Sequence, residues 1–289
     1  MQAELISLHA VNSNSAGIRN VDSNCNWASV KLPELMALLD AHPSEPVADN
    51  GVTFSVRRVK PGETLCRAGD AFEALYVVRS GFLKMVSLDP VGNEQVLSFP
   101  MRGDVIGLSS LEPGHYTADA IALDSCHVVV VPFDRIANLS RSVPGIERLL
   151  YTTFSRELAR RQRVIRLLGM LSAEARVAAF LLDMSERFAR LGCSRSSFVL
   201  RMTREEIGSY LGIKLETVSR TLSALASAGL IAVDRREVTL HDAAALRSIL
   251  EQRTEPGWGR RQRQRRASAD RGATIAAVSP QAAPALIAA

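Results

Sequence analysis

The chain has 289 residues, 47% apolar and 22% charged, enough for two domains with ordinary buried cores. No apolar run approaches the roughly 18 residues of a membrane span, and no basic head leads into the apolar core of a secretory signal. Four scattered cysteines (Cys25, Cys66, Cys126 and Cys193) form no CxxC pair, so the expectation is a cytoplasmic protein with reduced thiols and no membrane partner. The formal charge of +5 hides an asymmetry: residues 1–140 hold 10 basic against 16 acidic side chains, and residues 141–289 hold 25 against 14. A polyanion would meet the second half alone.

In chain order, residues 1–50 read as a mobile arm rich in Asn, Ser and Ala, with one short helix on Leu32, Leu35, Met36 and Leu39. Residues 51–140 change texture to short, β-branched strands punctuated by glycine. Candidates are Val56–Val59, Thr64–Arg67, Leu75–Arg79, Leu83–Leu88, Gln95–Phe99 and Cys126–Val131. Six such strands predict a small antiparallel barrel or jelly roll, holding either a ligand or a packed core. Residues 141–170 form a long helix on which Tyr151, Phe154, Leu158, Arg161, Ile165 and Leu168 step by three and four, an a/d seam flanked by arginines. The seam fits pairing with an identical helix; the alternative is packing on its own domain.

Residues 171–252 hold the segment that carries function. A helix over 172–190 buries Val177, Phe180, Leu181 and Met184, and a short strand follows at Phe198–Leu200. Thr203 with Glu206 three residues on is a capping box. Ile207, Tyr210 and Leu211 give the capped helix an apolar face, and Gly212 permits a tight turn after it. Leu215, Val218 and Leu222 supply the inner face of a second helix, leaving Glu216, Thr217, Ser219 and Arg220 free. Two short helices around such a turn, polar at the exposed start of the second, suit a major groove; an ordinary helical hairpin is the bland alternative. Ile231–Val233 and Val238–Leu240 then flank a basic tip, Arg235-Arg236, as a wing that would touch phosphate. Residues 253–289 read as a disordered basic tail, with Arg260, Arg261, Arg263, Arg265 and Arg266 ahead of an Ala/Pro-rich end.

The order of roll, long helix and winged helix-turn-helix resembles the CRP/FNR superfamily of transcription regulators over about residues 50–250. The resemblance rests on K-P-G-E-T-L-C-R-A-G-D (60–70), L-Y-V-V-R-S-G (75–81), G-N-E-Q (92–95), R-G-D-V-I-G (102–107) and the helix pair. It implies an α+β fold: an N-terminal cyclic-nucleotide-binding-type β-roll, a dimerisation helix with Tyr151, Phe154, Leu158, Ile165 and Leu168 in its seam, and a C-terminal winged helix. Glu216-Thr217-Val218-Ser219-Arg220 matches the E-x-x-S-R pattern of the FNR branch. The cyclic-AMP receptor branch has glycine where Ser219 stands and arginine where Leu215 stands. Arg220 would donate to guanine O6 and N7, Glu216 would accept from cytosine N4, and Ser219 would bond a base edge or pack on a thymine methyl. Thr217, Thr203, Arg204 and Lys214 complete the expected surface on double-stranded DNA. The implied operator is an inverted repeat near TTGAT-N4-ATCAA, one half-site per subunit of a homodimer. The implied further partner is RNA polymerase, touched by residues 89–94 and 123–125.

The resemblance also bears on the signal. Cluster-bearing members of the FNR branch hold iron–sulfur on four cysteines. Here Cys25 alone aligns, with Asp22, Lys31 and Val129 at the other three places, and one thiolate cannot hold a four-iron cluster. Cyclic AMP needs an arginine for its phosphate, whereas the matching places read Gly107-Leu108-Ser109 and Tyr116-Thr117-Ala118. The expectation is therefore a regulator of the FNR/FixK type with no cofactor and no metal, acting on anaerobic, microaerobic or nitrogen-oxide metabolism. The alternative is haem or thiol sensing of redox state or nitric oxide on the same fold, through one of five histidines or a cysteine of lowered pKa. A cupin-type metal enzyme is a distant third, because no H-x-H pair occurs; the reading is of a non-enzyme.

Overall fold

The computed structural model describes residues 29–39, 51–88, 91–143, 145–170 and 172–251. The expected N-terminal arm before Ser29, with Cys25, and the expected basic tail over 253–289 lie outside the described residues.

The first unit is a roll of two antiparallel sheets. Its strands are β1 (Ser29–Lys31), β2 (Thr53–Val59), β3 (Thr64–Cys66), β4 (Ala74–Ser80), β5 (Leu83–Leu88), β6 (Glu94–Ser98), β7 (Val105–Ile106), β8 (Asp119–Ala122) and β9 (Cys126–Pro132). One sheet runs β1-β2-β9-β4-β7 and the other β3-β8-β5-β6. Strand β9 is central and buried on both faces. Val128 packs between the sheets with Val78 and Leu83, while Val129 and Val131 face a helical layer with Leu75 and Val77. Two buried faces explain its unbroken valine run, which a half-exposed strand would alternate with polar residues. Between β4 and β5 the chain turns at Gly81 with φ +88°, where an added Cβ would lie 2.6 Å from Cys126 Sγ. Only glycine fits there.

The helical layer includes α1 (Leu32–Leu38), which is no part of a separate arm: β1 pairs with β2, and Leu32, Leu35 and Met36 are buried in the roll. After β9 come α2 (Phe133–Ser142) and the long α3 (Ile146–Met170). Ile146 and Leu149 bury the start of α3 on the roll. The opposite stripe stands in solvent, Tyr151 at 66%, Leu158 at 60% and Ile165 at 68% exposure. Phe154 of the expected seam instead packs partly against the roll's own core, and Leu168 is half-buried. The seam is thus narrower than its spacing implied, because a helix of this length serves its own domain with one face.

The second unit comprises α4 (Ala173–Arg190), β10 (Ser197–Val199), α5 (Arg204–Leu211), α6 (Leu215–Ser227), β11 (Ile231–Asp234), β12 (Glu237–Leu240) and α7 (Ala243–Glu251). Its sheet runs β10-β12-β11. Val177, Phe180, Leu181 and Met184 of α4 are buried as their spacing predicts, together with Leu246 of α7. The sequence reading did not assign β1, β7, α2, β8 or α7. β8 (D-A-I-A) lacks the bulky β-formers that mark a strand, and α7 is short. Its Asp242, which accepts from Ala245 N–H at 2.8 Å, is the cap that signals it.

Candidate nucleic-acid interface

The helix pair begins with its cap. Thr203 Oγ1 accepts from Glu206 N–H at 3.1 Å, and Glu206 Oε2 accepts from Thr203 N–H at 2.7 Å, the reciprocal pair its spacing predicts. Gly212 ends α5 in the left-handed region at φ 61°. A second glycine matters more. A Cβ on Gly208 would lie 2.7 Å from Ile213 O, so the turn closes over bare backbone. That close approach fixes where α6 starts.

On α6, Val218, Leu222 and Leu225 are buried. Leu215 is not the inner residue expected of it; it is 42% exposed. It starts the helix and projects past the edge of the core, which Leu225 fills from the other end. The expected reading residues lie outward: Glu216 and Arg220 exposed, Thr217 and Ser219 half-buried at its shoulder. Arg204 of α5 reaches across to Ser219 Oγ at 3.4 Å, joining the two helices on this face. Lys214 is the N-cap residue of α6 and makes no side-chain cap; its carbonyl accepts from Thr217 and Val218 N–H at 2.9 and 3.1 Å. The wing pairs Asp234 with Glu237 around a two-residue turn. Arg235 adopts φ 53° there, and Arg236 Nη1 donates to Arg201 O at 3.2 Å. All seven expected DNA-contacting residues, Thr203, Arg204, Lys214, Glu216, Thr217, Ser219 and Arg220, thus lie on α5, α6 or their caps, with Thr203's oxygen already accepting the cap bond.

Sequence reasoning missed the residues that hold this unit on the roll. Ser209 Oγ accepts from Val96 N–H at 2.9 Å, and the Gln95 amide donates to Ser209 O. Lys84 pairs with Glu206 at 3.0 Å, so the capping glutamate also anchors α5 to β5. Phe99, Phe180 and Tyr210 form a cluster in which each ring meets the other two. Asp104 accepts from Arg160 at 2.9 Å and from Arg187. Burial alone would raise the Asp104 carboxyl, but Arg187 and Arg160 more than reverse this and hold it below the usual carboxylate range. Asp124 of the 123–125 turn accepts from Phe82 N–H at 2.7 Å and faces Arg201 at 3.5 Å, so its carboxylate is already engaged within the chain. No local pattern announces these contacts, since each joins residues far apart in sequence.

Inside the roll, aromatic packing fills the space. Tyr116 is buried, donates its hydroxyl to Ala74 O at 2.8 Å, stacks on Tyr76 and meets Phe72 edge-on. Ser109 and Thr117 bond each other at 2.9 Å. Burial pushes the thiols of Cys66 and Cys126 up to about 12, Asp124 adding to the effect at Cys126. His127 bonds Ser80 at 3.1 Å and His115 bonds Pro113 O at 2.9 Å. Among the described residues no three His, Cys, Asp or Glu side chains converge as metal ligands, and no helix is long and apolar enough to cross a membrane.

Comparison with known proteins returns the same two units. The cyclic nucleotide-binding domain family matches residues 56–142, and the Crp-like helix-turn-helix domain family matches residues 175–249. The chain is 39% identical over 195 residues to the transcriptional regulatory protein btr of Bordetella pertussis, covering 68% of this chain and 81% of that one. It is 36% identical over 223 residues to the transcriptional activator protein anr of Pseudomonas aeruginosa, covering 77% and 89%. The fumarate and nitrate reduction regulatory protein of Escherichia coli is 36% identical over 197 residues, covering 67% and 79%. Among solved structures, FixK2 of Bradyrhizobium japonicum superposes with a TM-score of 0.63 at 28% identity, covering 68% of this chain and 98% of that one.

Proposed function

The chain belongs to the CRP/FNR family of transcription regulators, and from this we propose that it is a homodimeric, operator-specific regulator of the FNR/FixK type. The observation that carries the reading is the outward face of α6. Glu216 and Arg220 are exposed on one side of a helix whose other side is core, and Arg204 is bonded to Ser219 between them. Arg220 reads guanine and Glu216 reads cytosine, in an inverted repeat of the TTGAT-N4-ATCAA kind. Thr217, Lys214 and the cap at Thr203-Arg204 meet flanking phosphates, as does the Arg235-Arg236 wing. The exposed stripe of Tyr151, Leu158 and Ile165 supports pairing of two α3 helices, which brings two reading heads to one palindrome.

The relatives named transcriptional activators support an activating role through RNA polymerase. The β5–β6 hairpin offers a contact surface, with Leu88 and Val91 both exposed beside its tip. The target class we infer is genes of anaerobic, microaerobic or nitrogen-oxide metabolism, supported by a relative named for fumarate and nitrate reduction. The packed aromatic interior and the Ser109–Thr117 bond support a roll that works without a cyclic nucleotide inside it. Buried, un-ionised Cys66 and Cys126 do not suit the thiol-sensing alternative. The test is competition binding with base-substituted operators. Arg220→Ala should cost about 1–3 kcal/mol at the cognate site and flatten the preference at its guanine. Uniform weakening on every sequence would reduce Arg220 to a phosphate contact and remove the basis of the proposal.

A further inference from the structure

A cleft of about 770 Å³ opens between α1, the 101–105 turn of the roll, α3 and α4, away from the aromatic interior of the roll. Seven arginines and three carboxylates line it, a formal charge of +4. Four of those arginines are engaged by the protein. Arg102 donates to Arg79 O at 3.1 Å, Arg156 to Leu39 O at 2.6 Å, and Arg160 and Arg187 to Asp104. The remaining three, Arg163 and Arg166 on α3 and Arg190 on α4, make no hydrogen bond or ion pair among the described residues. Of the carboxylates, Asp104 is taken up by its two arginines and Glu157 by Arg161 at 3.0 Å. Among the described residues that line the cleft, only Asp183 is left to balance three guanidinium groups, and it already faces Arg160 and Arg187. The wall formed by Leu38, Leu39 and Met101 is apolar.

Concentrating like charges on a concave surface costs energy that an anion relieves. Guanidinium forks suit phosphate oxygens better than any other side chain, and the volume lies within the roughly 300–1,000 Å³ of small-molecule sites. Pairing of two α3 helices along the exposed apolar stripe would leave Arg163 uncovered. At about 100° per residue, Arg163 lies roughly 140° around α3 from Leu158, off the exposed apolar stripe.

We propose that this cleft binds a small, multiply phosphorylated anion, with Arg163, Arg166 and Arg190 clamping the phosphate chain and the Leu38–Met101 wall receiving an attached ring. The inference goes beyond DNA recognition and stands without it. Because the walls come from both the roll and α4, the bound anion favours the docked arrangement of the two units.

The test uses the full chain in calorimetric titrations at physiological salt, with ATP and inorganic tripolyphosphate as probes. One saturable site per chain is expected, weakened at least 10-fold in R163A/R190A and unchanged in R67A/R141A, which removes the same charge elsewhere. ATP is expected to bind more tightly than tripolyphosphate because the apolar wall receives the base; equal affinity would overturn the role given to that wall. If R163A/R190A melts below the parent, the exposed single change R166A carries the same comparison, with at least a 3-fold loss expected. Three outcomes overturn the proposal. These are no saturable binding of either probe, binding retained in the cleft variants or lost equally in R67A/R141A, and stoichiometric displacement of tripolyphosphate by operator DNA, which would make the cleft part of the DNA path.

Discussion

Replacing Asp104 with asparagine removes the charge between two arginines while keeping the shape of the side chain. In the native chain its Oδ1 accepts from Arg160 at 2.9 Å, and its Oδ2 accepts from Arg187 and from Met101 N–H at 2.8 Å. Asparagine offers one oxygen for these donors and turns an NH₂ toward a guanidinium. With the amide oxygen toward Met101 N–H and Arg187, Arg160 meets the NH₂; turned the other way, Arg187, only 8% exposed in its side chain, keeps just Phe99 O at 3.0 Å, and neither orientation supplies a countercharge. Breaking one side of a buried ion pair costs about 3–5 kcal/mol. Asp104 retains 24% of its side-chain exposure, so the lower end, about 3 kcal/mol, is expected, or roughly 6–12 °C in Tm for a chain of this size. The pH dependence has a definite sign. The folded carboxyl is held below its ordinary value, so its contribution is complete above about pH 4 and fades as pH falls through the depressed value. The parent and Asp104→Asn should therefore differ fully at pH 7 and converge in acid. Urea and thermal unfolding followed by circular dichroism at both ends would check this. A difference within about 0.5 kcal/mol at pH 7, or one unchanged into strong acid, would refute the reasoning.

Other outcomes follow from the same geometry. Leu158→Asp leaves the fold intact, because the side chain is already 60% exposed, but should give a monomer by sedimentation with little operator affinity; an intact dimer would move the interface off α3. Gly208→Ala should cost about 1–2 kcal/mol net despite the better helix propensity of alanine, since its Cβ meets Ile213 O at 2.7 Å; a Tm at or above the parent's would contradict it. Cys66 and Cys126, with thiols pushed up to about 12 by burial, should resist iodoacetamide at pH 8 until the chain unfolds, and rapid labelling in native buffer, read by mass spectrometry, would overturn that.

Much of the fold and of the outward face of α6 was legible because it is written in short periods. The Thr203–Glu206 cap spans three residues, the α4 and α6 faces repeat every three or four, and the wing is a hairpin between two short apolar runs. Such features depend on neighbours a turn or two away, so spacing alone places Glu216, Ser219 and Arg220 outward. Where the period was right and the environment was not, the reading failed. Leu215 keeps the helical step yet lies beyond the core's edge, and Phe154 keeps the seam's step yet turns partly to the roll. β1 and α1 looked like an arm because their partners, Thr53–Ser55 and the roll core, are supplied by later segments. The seating of the helix pair on the roll was the least visible of all. Ser209 meets Val96, Glu206 meets Lys84, and Arg187 meets Asp104 across 113, 122 and 83 positions. Pairings at that range leave no periodic trace in the chain, because what selects each partner is the burial of one charge or one hydrogen-bonding group against another once both elements have packed.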